Sequence, residues 1–333
     1  MLTLIILILG TSFLLYTLLG GADFGAGIIE TFAGRKEERT ISKAIAPVWE
    51  ANHVWLILAV VILFTGFPAV YASISLVLHI PLMLVLIGII FRGCAFTFRH
   101  YDVASDSAQK YYSVFFKLSS FVTPFFLGIT LAAMILGRIT FDENAGFYEK
   151  FMAPWLNVFC CTMGFFAVSL FGYISATFLV GETSDDRERR KYAMFSKQFM
   201  ISTMILGLLV FIMAEVEGHR LTNEFLASPV SISMLLCVLL ICPFIWYFLN
   251  RRSNKTLFLR IAIGVQVTVV LVGWFYIQFP VLIQVSGGEH LTVYNTHAPE
   301  ATLYQLLIAL IVGLVLVVPG FLYLFGVFKM KGT

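Results

Sequence analysis

The sequence predicts an all-α polytopic membrane protein, and three observations carry that expectation. Of its 333 residues, 59% are hydrophobic and only 12% charged, and the mean hydropathy of +0.92 is more than a soluble core can use. Nine stretches are long and apolar enough to cross a bilayer, which takes roughly 20 residues each. The basic residues also collect on one side of those stretches, as the positive-inside rule requires.

The expected spans lie near 2–28, 46–66, 71–98, 114–138, 152–180, 194–215, 230–250, 257–282 and 302–328. They form a single membrane domain over 1–333, since no loop is long enough for a soluble domain. Met1–Ala22 has no basic leader, so it reads as a retained first span and not as a cleaved signal. Span 2 is expected to begin at Pro47, whose missing N–H is harmless in a first turn. The link around Pro68 is short, which makes spans 2 and 3 antiparallel neighbours. All but three of the 22 Lys and Arg fall on one face, the exceptions being Arg138, Lys150 and Arg220. This places the N-terminus outside and the C-terminus in the cytoplasm, as an odd number of spans demands. The net charge of +3 adds little to that distribution.

Five cysteines (Cys94, Cys160, Cys161, Cys237 and Cys242) sit in apolar segments without a C-x-x-C pair. They read as small buried residues and not as a disulfide or metal framework.

Charged groups inside a bilayer are costly, and they persist where they face protein or water. Span 1 ends GGADFGAGIIE, with Asp23 seven residues before Glu30, hence about 10 Å deeper. The surrounding glycines let another helix come close, so Asp23 is expected to face protein. Span 2 opens with Trp49, Glu50, Asn52, His53 and Trp55. Glu50 and His53 share one helix face, as do Trp49 and Asn52. Asp23, Glu50 and His53 stand near one cytoplasmic entrance and form a candidate proton path, because burial tunes such groups towards neutral pH. A pure packing role for the same acids is the competing reading. Arg92 is the expected counter-charge for Asp23 or Glu50, and Arg99 is expected to snorkel to lipid headgroups. His79 is placed near mid-membrane, where a hydrogen bond to a neighbouring helix is expected before haem ligation. The outer Glu215, Glu217, His219, Arg220, Glu289, His290, His297 and Glu300 read as solvated charges without a metal motif. Gln266, Gln278 and Gln284 are candidates for hydrogen bonds between helices.

Three motifs carry a resemblance. GADFGAG at 21–27, taken with Gly20, resembles the G-x-D-[FLM]-G-x-G signature that ends the first helix of subunit II of the bd-type quinol oxidases. IAPVWEANHVWLI at 45–57 resembles that family's A-P-x-W-[DE]-x-N-x-V-W-L-I element, and FRGCAFTFR at 91–99 its F-R-x-x-x-F-x-[FY]-R pattern. The resemblance continues weakly to the last helix and leans to the menaquinol-using Gram-positive type. It implies two four-helix bundles plus one peripheral helix in a bacterial cytoplasmic membrane. It also implies one subunit of an oxidase that reduces O2 to water with electrons from ubiquinol or menaquinol, generating a proton motive force. Haem b and haem d would then reside in the homologous partner, subunit I, and this chain would bind no cofactor or nucleic acid. It would be inactive alone, shielding the haems and helping to supply cytoplasmic protons, with small single-helix subunits and lipids as further partners. Asp23 and Glu50 occupy the positions of the family's acids, although many members have Asp at the position of Glu50, and Gln or Glu at that of His53. Trp49, Asn52, Trp55 and Arg92 would hold the entrance in shape. A different class, a secondary transporter or cation channel using Asp23 and Glu50, would be expected to show paired broken helices, and span 1's glycines have no counterpart in spans 5 or 6.

Overall fold

The computed structural model describes residues 1–34, 37–101, 106–183, 185–219, 221–250 and 256–330. Within these, the side chains of residues 39, 43, 46–48, 50, 51, 100, 101, 106–108, 322 and 324–330 lie outside the description. The elements run α1 (Leu2–Ala33), α2 (Glu38–Gly66), α3 (Pro68–Val77), α4 (His79–Tyr101), α5 (Asp106–Ile135) and α6 (Phe147–Phe151). They continue through α7 (Val158–Leu179), α8 (Asp186–Val216), α9 (Leu221–Ala227), α10 (Pro229–Asn250) and α11 (Thr256–Gln278). A hairpin of β1 (Val281–Ile283) and β2 (Leu291–Thr292) precedes α12 (Glu300–Met330). The protein is an all-α integral membrane protein. Eight of the described helices are long and apolar enough to span, and α2 taken with α3 makes a ninth candidate.

Three expectations about the spans change. Span 3 is not one helix over 71–98, because the chain breaks at Leu78 between α3 and α4. Pro81 explains the position of the break: it has no N–H to give the Val77 carbonyl four residues back, and its ring crowds that carbonyl. Pro81 then sits comfortably in the first turn of α4. The α3 axis lies 112° from that of the preceding Asn52–Gly66 segment, so the chain turns sharply at Phe67. Second, α2 starts at Glu38 and not at Pro47, adding more than two helical turns ahead of the expected span. Third, α7 starts at Val158, not near 152, because Asn157 caps it by accepting the Cys160 N–H on its side-chain oxygen at 2.9 Å.

The buried apolar residues form two clusters stacked along the helices. One gathers Ile5, Ile62, Phe67, Phe159 and Leu303, and the other Phe24, Ile28, Phe116, Tyr173 and Ile245. Helix α1 feeds both, packing on α2, α5 and α7, which makes it the axis of the molecule. Its glycines allow this: a Cβ on Gly25 would stand 2.0 Å from the Phe171 carbonyl oxygen of α7. The cysteines are all free. Only Cys160 and Cys242 are buried, while Cys94 and Cys237 are exposed on lipid-length helices, so the expectation that all five are buried does not hold.

A buried ion-pair ladder as the candidate functional site

From its middle onward, α1 presents Tyr16, Gly20, Asp23, Gly27 and Glu30 at three- and four-residue spacing, so all lie on one stripe of the helix. Asp23 is fully buried, and its Oδ2 accepts from Arg92 Nη1 at 2.6 Å and from Asn52 Nδ2 at 3.4 Å. Arg92 is 1% exposed and satisfied on every side. Its Nη2 donates to the Asp23 backbone oxygen at 2.5 Å, and its Nε donates to Ser120 Oγ at 3.1 Å. Its guanidinium lies over the rings of Phe24 and Phe116, at 4.6 and 4.9 Å from their centroids. Bidentate and stacked geometry of this kind suits arginine and not lysine.

A second rung lies seven residues along both helices. Glu30, fully buried, takes a two-pronged pair from Arg99, Nη1 to Oε1 at 2.8 Å and Nη2 to Oε2 at 3.0 Å. Lys117 of α5 approaches Glu30 at 3.7 Å and pairs with Glu38 at 3.1 Å. The Arg99 guanidinium lies 4.9 Å from the centroid of the same Phe116 ring that Arg92 meets. Arg99 therefore does not snorkel to lipid; a carboxylate buried as Glu30 is claims the guanidinium first. Because Asp23 meets Arg92 and Glu30 meets Arg99 in step, α1 and α4 run parallel.

Of the expected site residues, Asp23, Asn52 and Arg92 meet directly. His53 and Trp49 border them, half-buried, with their rings edge to face at 6.2 Å, and Trp49 tilts on Phe96 at 5.1 Å. Trp55 stands apart, buried in the core with Phe321 of α12 at 6.3 Å. Glu50 belongs to α2, and its side chain lies outside the described residues. His79 is the first residue of α4, with Nδ1 2.9 Å from the Leu76 carbonyl oxygen of α3 and the ring against Phe151. The reading of single residues missed Ser120, Phe116, Glu30, Lys117 and Glu38. The matching seven-residue steps of 23 to 30 and 92 to 99 were the signal that could have found the second rung.

Elsewhere the expected bonds differ from helix to helix. Gln266 does join helices: its Oε1 accepts from Tyr173 Oη of α7 at 2.9 Å, and its Nε2 reaches the Val238 carbonyl of α10 at 3.3 Å. Gln278 instead bonds locally to the Leu282 carbonyl, and the Gln284 backbone N–H bonds to the Met134 carbonyl. Outside the ladder, Glu217 is not simply solvated, since it pairs with Arg138 at 2.5 Å and accepts the Val158 N–H that opens α7. In the first turns of α8, Lys191 donates to the Ala33 carbonyl at the end of α1 and to Glu37 at 2.7 Å. Burial acts to raise the Glu37 carboxyl, but the Lys191 hydrogen bond, its own N–H and the Lys191 and Arg187 charges outweigh it and hold the group below its ordinary value. Among the described residues no group of three or more His, Cys, Asp or Glu is gathered as a metal site.

Chemically, the ladder is a set of fixed charges. Protonating Asp23 alone would leave the Arg92 charge buried and unpaired, so Asp23 and Arg92 act as one unit. His53 lies within electrostatic reach of both and is the less enclosed of the titratable groups near them.

Comparison with known proteins agrees with the three motifs. Residues 1–328 match the family model described as cytochrome bd terminal oxidase subunit II. A Bacillus subtilis (strain 168) protein described as cytochrome bd ubiquinol oxidase subunit 2 is 26% identical over 324 residues, covering 94% of this chain and 91% of the relative. Cytochrome bd-I ubiquinol oxidase subunit 2 of Escherichia coli (strain K12) is 27% identical over 218 residues, which cover 64% of this chain and 57% of that one. Among solved structures, a chain of the bd oxidase from Geobacillus thermodenitrificans shares the fold, with a TM-score of 0.77 at 22% identity and 98% of each chain covered. With the match running from the first residue almost to the last, this chain belongs to the cytochrome bd terminal oxidase subunit II family.

Proposed function

We propose that this chain is the subunit II of a bacterial plasma-membrane quinol oxidase, which oxidises quinol, reduces O2 to water and so builds a proton motive force. The family match along nearly the whole length is the observation that carries this reading. In it the chain pairs with a homologous subunit I that holds haem b and haem d, and those haems would supply the redox chemistry. The expectation of a transporter or channel finds no support in the relatives.

Within the complex, this chain shields the partner's haems and helps bring protons from the cytoplasm through a path comprising Asp23, Glu50 and His53. Asp23 serves there as the fixed negative pole, held by Arg92 and Asn52, while Glu50 and His53 exchange protons. Trp49 supports His53 by ring contact, and Trp55 supports the helix from the core. The close helix pairs α1–α2, α4–α5, α7–α8 and α10–α11 support two four-helix bundles, with α12, which packs on α2, as the peripheral helix.

The test is a reduced-minus-oxidised visible spectrum of the tagged chain purified gently from its native membrane. Haem b and d bands with a co-purifying larger subunit are expected, and a colourless solitary chain would overturn the reading. In the same preparation, His53→Ala and Glu50→Gln should slow oxygen consumption while leaving the haem bands intact; unchanged turnover in both would remove the proton path and leave a scaffold.

A further inference from the structure

Far from the ladder, Lys197 in the first half of α8 is half-buried without a counter-charge among the described residues. Its Nζ donates to Oδ1 of Asn250, the last residue of α10, and lies 5.2 Å from the centroid of the Trp246 ring. Both partners are uncharged. Two other half-buried lysines meet a carboxylate, Lys117 pairing with Glu38 and Lys191 with Glu37. An ammonium carries three donors, and two of those on Lys197 find no acceptor among the described residues. The surroundings are those of a membrane interface. Met194 and Ile201, a turn to either side of Lys197 on the same stripe of α8, are exposed, as are Leu240 and Phe244 on α10. Helix α8 packs chiefly on α7 and α10 chiefly on α11, so α8 and α10 meet only lightly and their apolar flanks stay open. Arg187, Arg189, Arg190 and Lys191 precede Lys197, and Arg251 and Arg252 follow Asn250 in the sequence. This is the end that the positive-inside rule assigns to the cytoplasm.

We propose that the face where α8 meets α10 binds one anionic phospholipid of the inner leaflet, its phosphate on the Lys197 ammonium and its acyl chains along Met194, Ile201, Leu240 and Phe244. The two open N–H groups of Lys197 donate to phosphate oxygens. Trp246 and Asn250 are positioning residues: ring and amide hold the ammonium from two sides at headgroup depth, where a free lysine would extend into water. A tryptophan suits that depth, because its ring is apolar and its N–H polar, and Trp246 is 38% exposed. Charge selects the occupant. The inner leaflet is negatively charged, and basic pockets between spanning helices on that side take anionic headgroups. A zwitterionic lipid carries its own cation beside the phosphate and loses most of the attraction. The proposal rests on the membrane architecture and not on the oxidase reading.

The test places the purified complex in phosphatidylcholine nanodiscs doped with a photoactivatable phosphatidylglycerol whose diazirine lies near the glycerol, and maps the adducts by mass spectrometry. Residues 194–201 and 244–250 should be marked about fivefold more by this lipid than by photoactivatable phosphatidylcholine, the preference one ammonium gives an anionic headgroup. Equal marking by the two lipids would overturn the proposal. The preference should vanish in Lys197→Gln and persist in Lys197→Arg. Lys110→Gln, which removes an exposed charge on α5, should leave it unchanged. A preference that survives Lys197→Gln would refute the site, and one that falls as far in Lys110→Gln would reduce it to general surface charge. Crosslinks from these segments to another protein chain in place of lipid would give the face to that partner and equally overturn the proposal. If Lys197→Gln fails to assemble, the wild-type comparison of the two lipids decides. The readout is lipid mass, so its failure leaves the oxidase reading untouched.

Discussion

Removing Arg92 is the sharpest single test of the ladder. In Arg92→Met a side chain of similar length replaces the guanidinium, so packing against Phe24 and Phe116 is largely kept. What is lost is the partner of a fully buried Asp23, together with bonds to the Asp23 carbonyl and to Ser120. Breaking a buried ion pair from one side typically costs about 3–5 kcal/mol, because the remaining charge is stranded. Two stacked rings add about 1 kcal/mol or more of cation–π energy. The single change should therefore destabilise by about 4 kcal/mol, roughly a thousandfold in the folding equilibrium. Removing both charges in Asp23→Leu with Arg92→Met strands nothing and should recover about 2 kcal/mol or more of that loss. The assay is unfolding of the purified complex in mixed micelles against a denaturing detergent, for wild type, each single variant and the double variant. A loss below about 1 kcal/mol in Arg92→Met, or additivity of the two singles within about 0.5 kcal/mol, would refute a buried and mutually dependent pair.

Gly25→Ala should abolish stable assembly, because its Cβ would meet the Phe171 backbone oxygen at 2.0 Å and α1 and α7 would have to separate; Gly10→Ala, with nothing within 4 Å, should behave as wild type in the same membrane-extraction yield. Glu37 makes a pH-dependent contribution whose sign follows from its lowered folded value: stability is full above the ordinary carboxyl value of about 4.5 and is lost as pH falls through the folded value. Glu37→Gln should lower the neutral plateau of a thermal-stability profile and flatten its acid limb, so that the variant and wild type converge only at low pH. Arg138→Gln removes a pair that is 41% exposed on the arginine side, so it should cost below about 1 kcal/mol, and less in high salt. Glu217→Gln should cost more than Arg138→Gln in the same melt, since Glu217 also accepts the Val158 N–H at the start of α7.

The spans were legible because a bilayer imposes length and apolarity on each helix, and an intramembrane charge requires a partner. That logic alone led from Asp23 to Arg92. It stopped short at Arg99, where the usual habit of an arginine near a helix end was weighed and the buried Glu30 opposite was not. The break at Leu78 was hidden because PAVYASISLV is as apolar as a span, and only Pro81 betrays it. Prolines are an ambiguous sign in this chain, since Pro124, Pro243 and Pro319 are all carried inside helices. The expected span to residue 282 runs past the end of α11 at Gln278 and takes in the start of β1, though Gly287 and Gly288 mark the turn of the hairpin that follows.

The ladder also decides how the protein experiences an energised membrane. One elementary charge moved through 100 mV changes its energy by about 2.3 kcal/mol, so lone ions inside a respiratory membrane are pulled whenever the voltage changes. Here each rung sums to zero, Asp23 with Arg92 and Glu30 with Arg99, and each pair lies at one depth because the two helices advance in step. The field finds no net charge to drag along the axis. The paired rungs are thus electrically silent: they hold strong charges among apolar helices and keep their shape while the voltage rises and collapses.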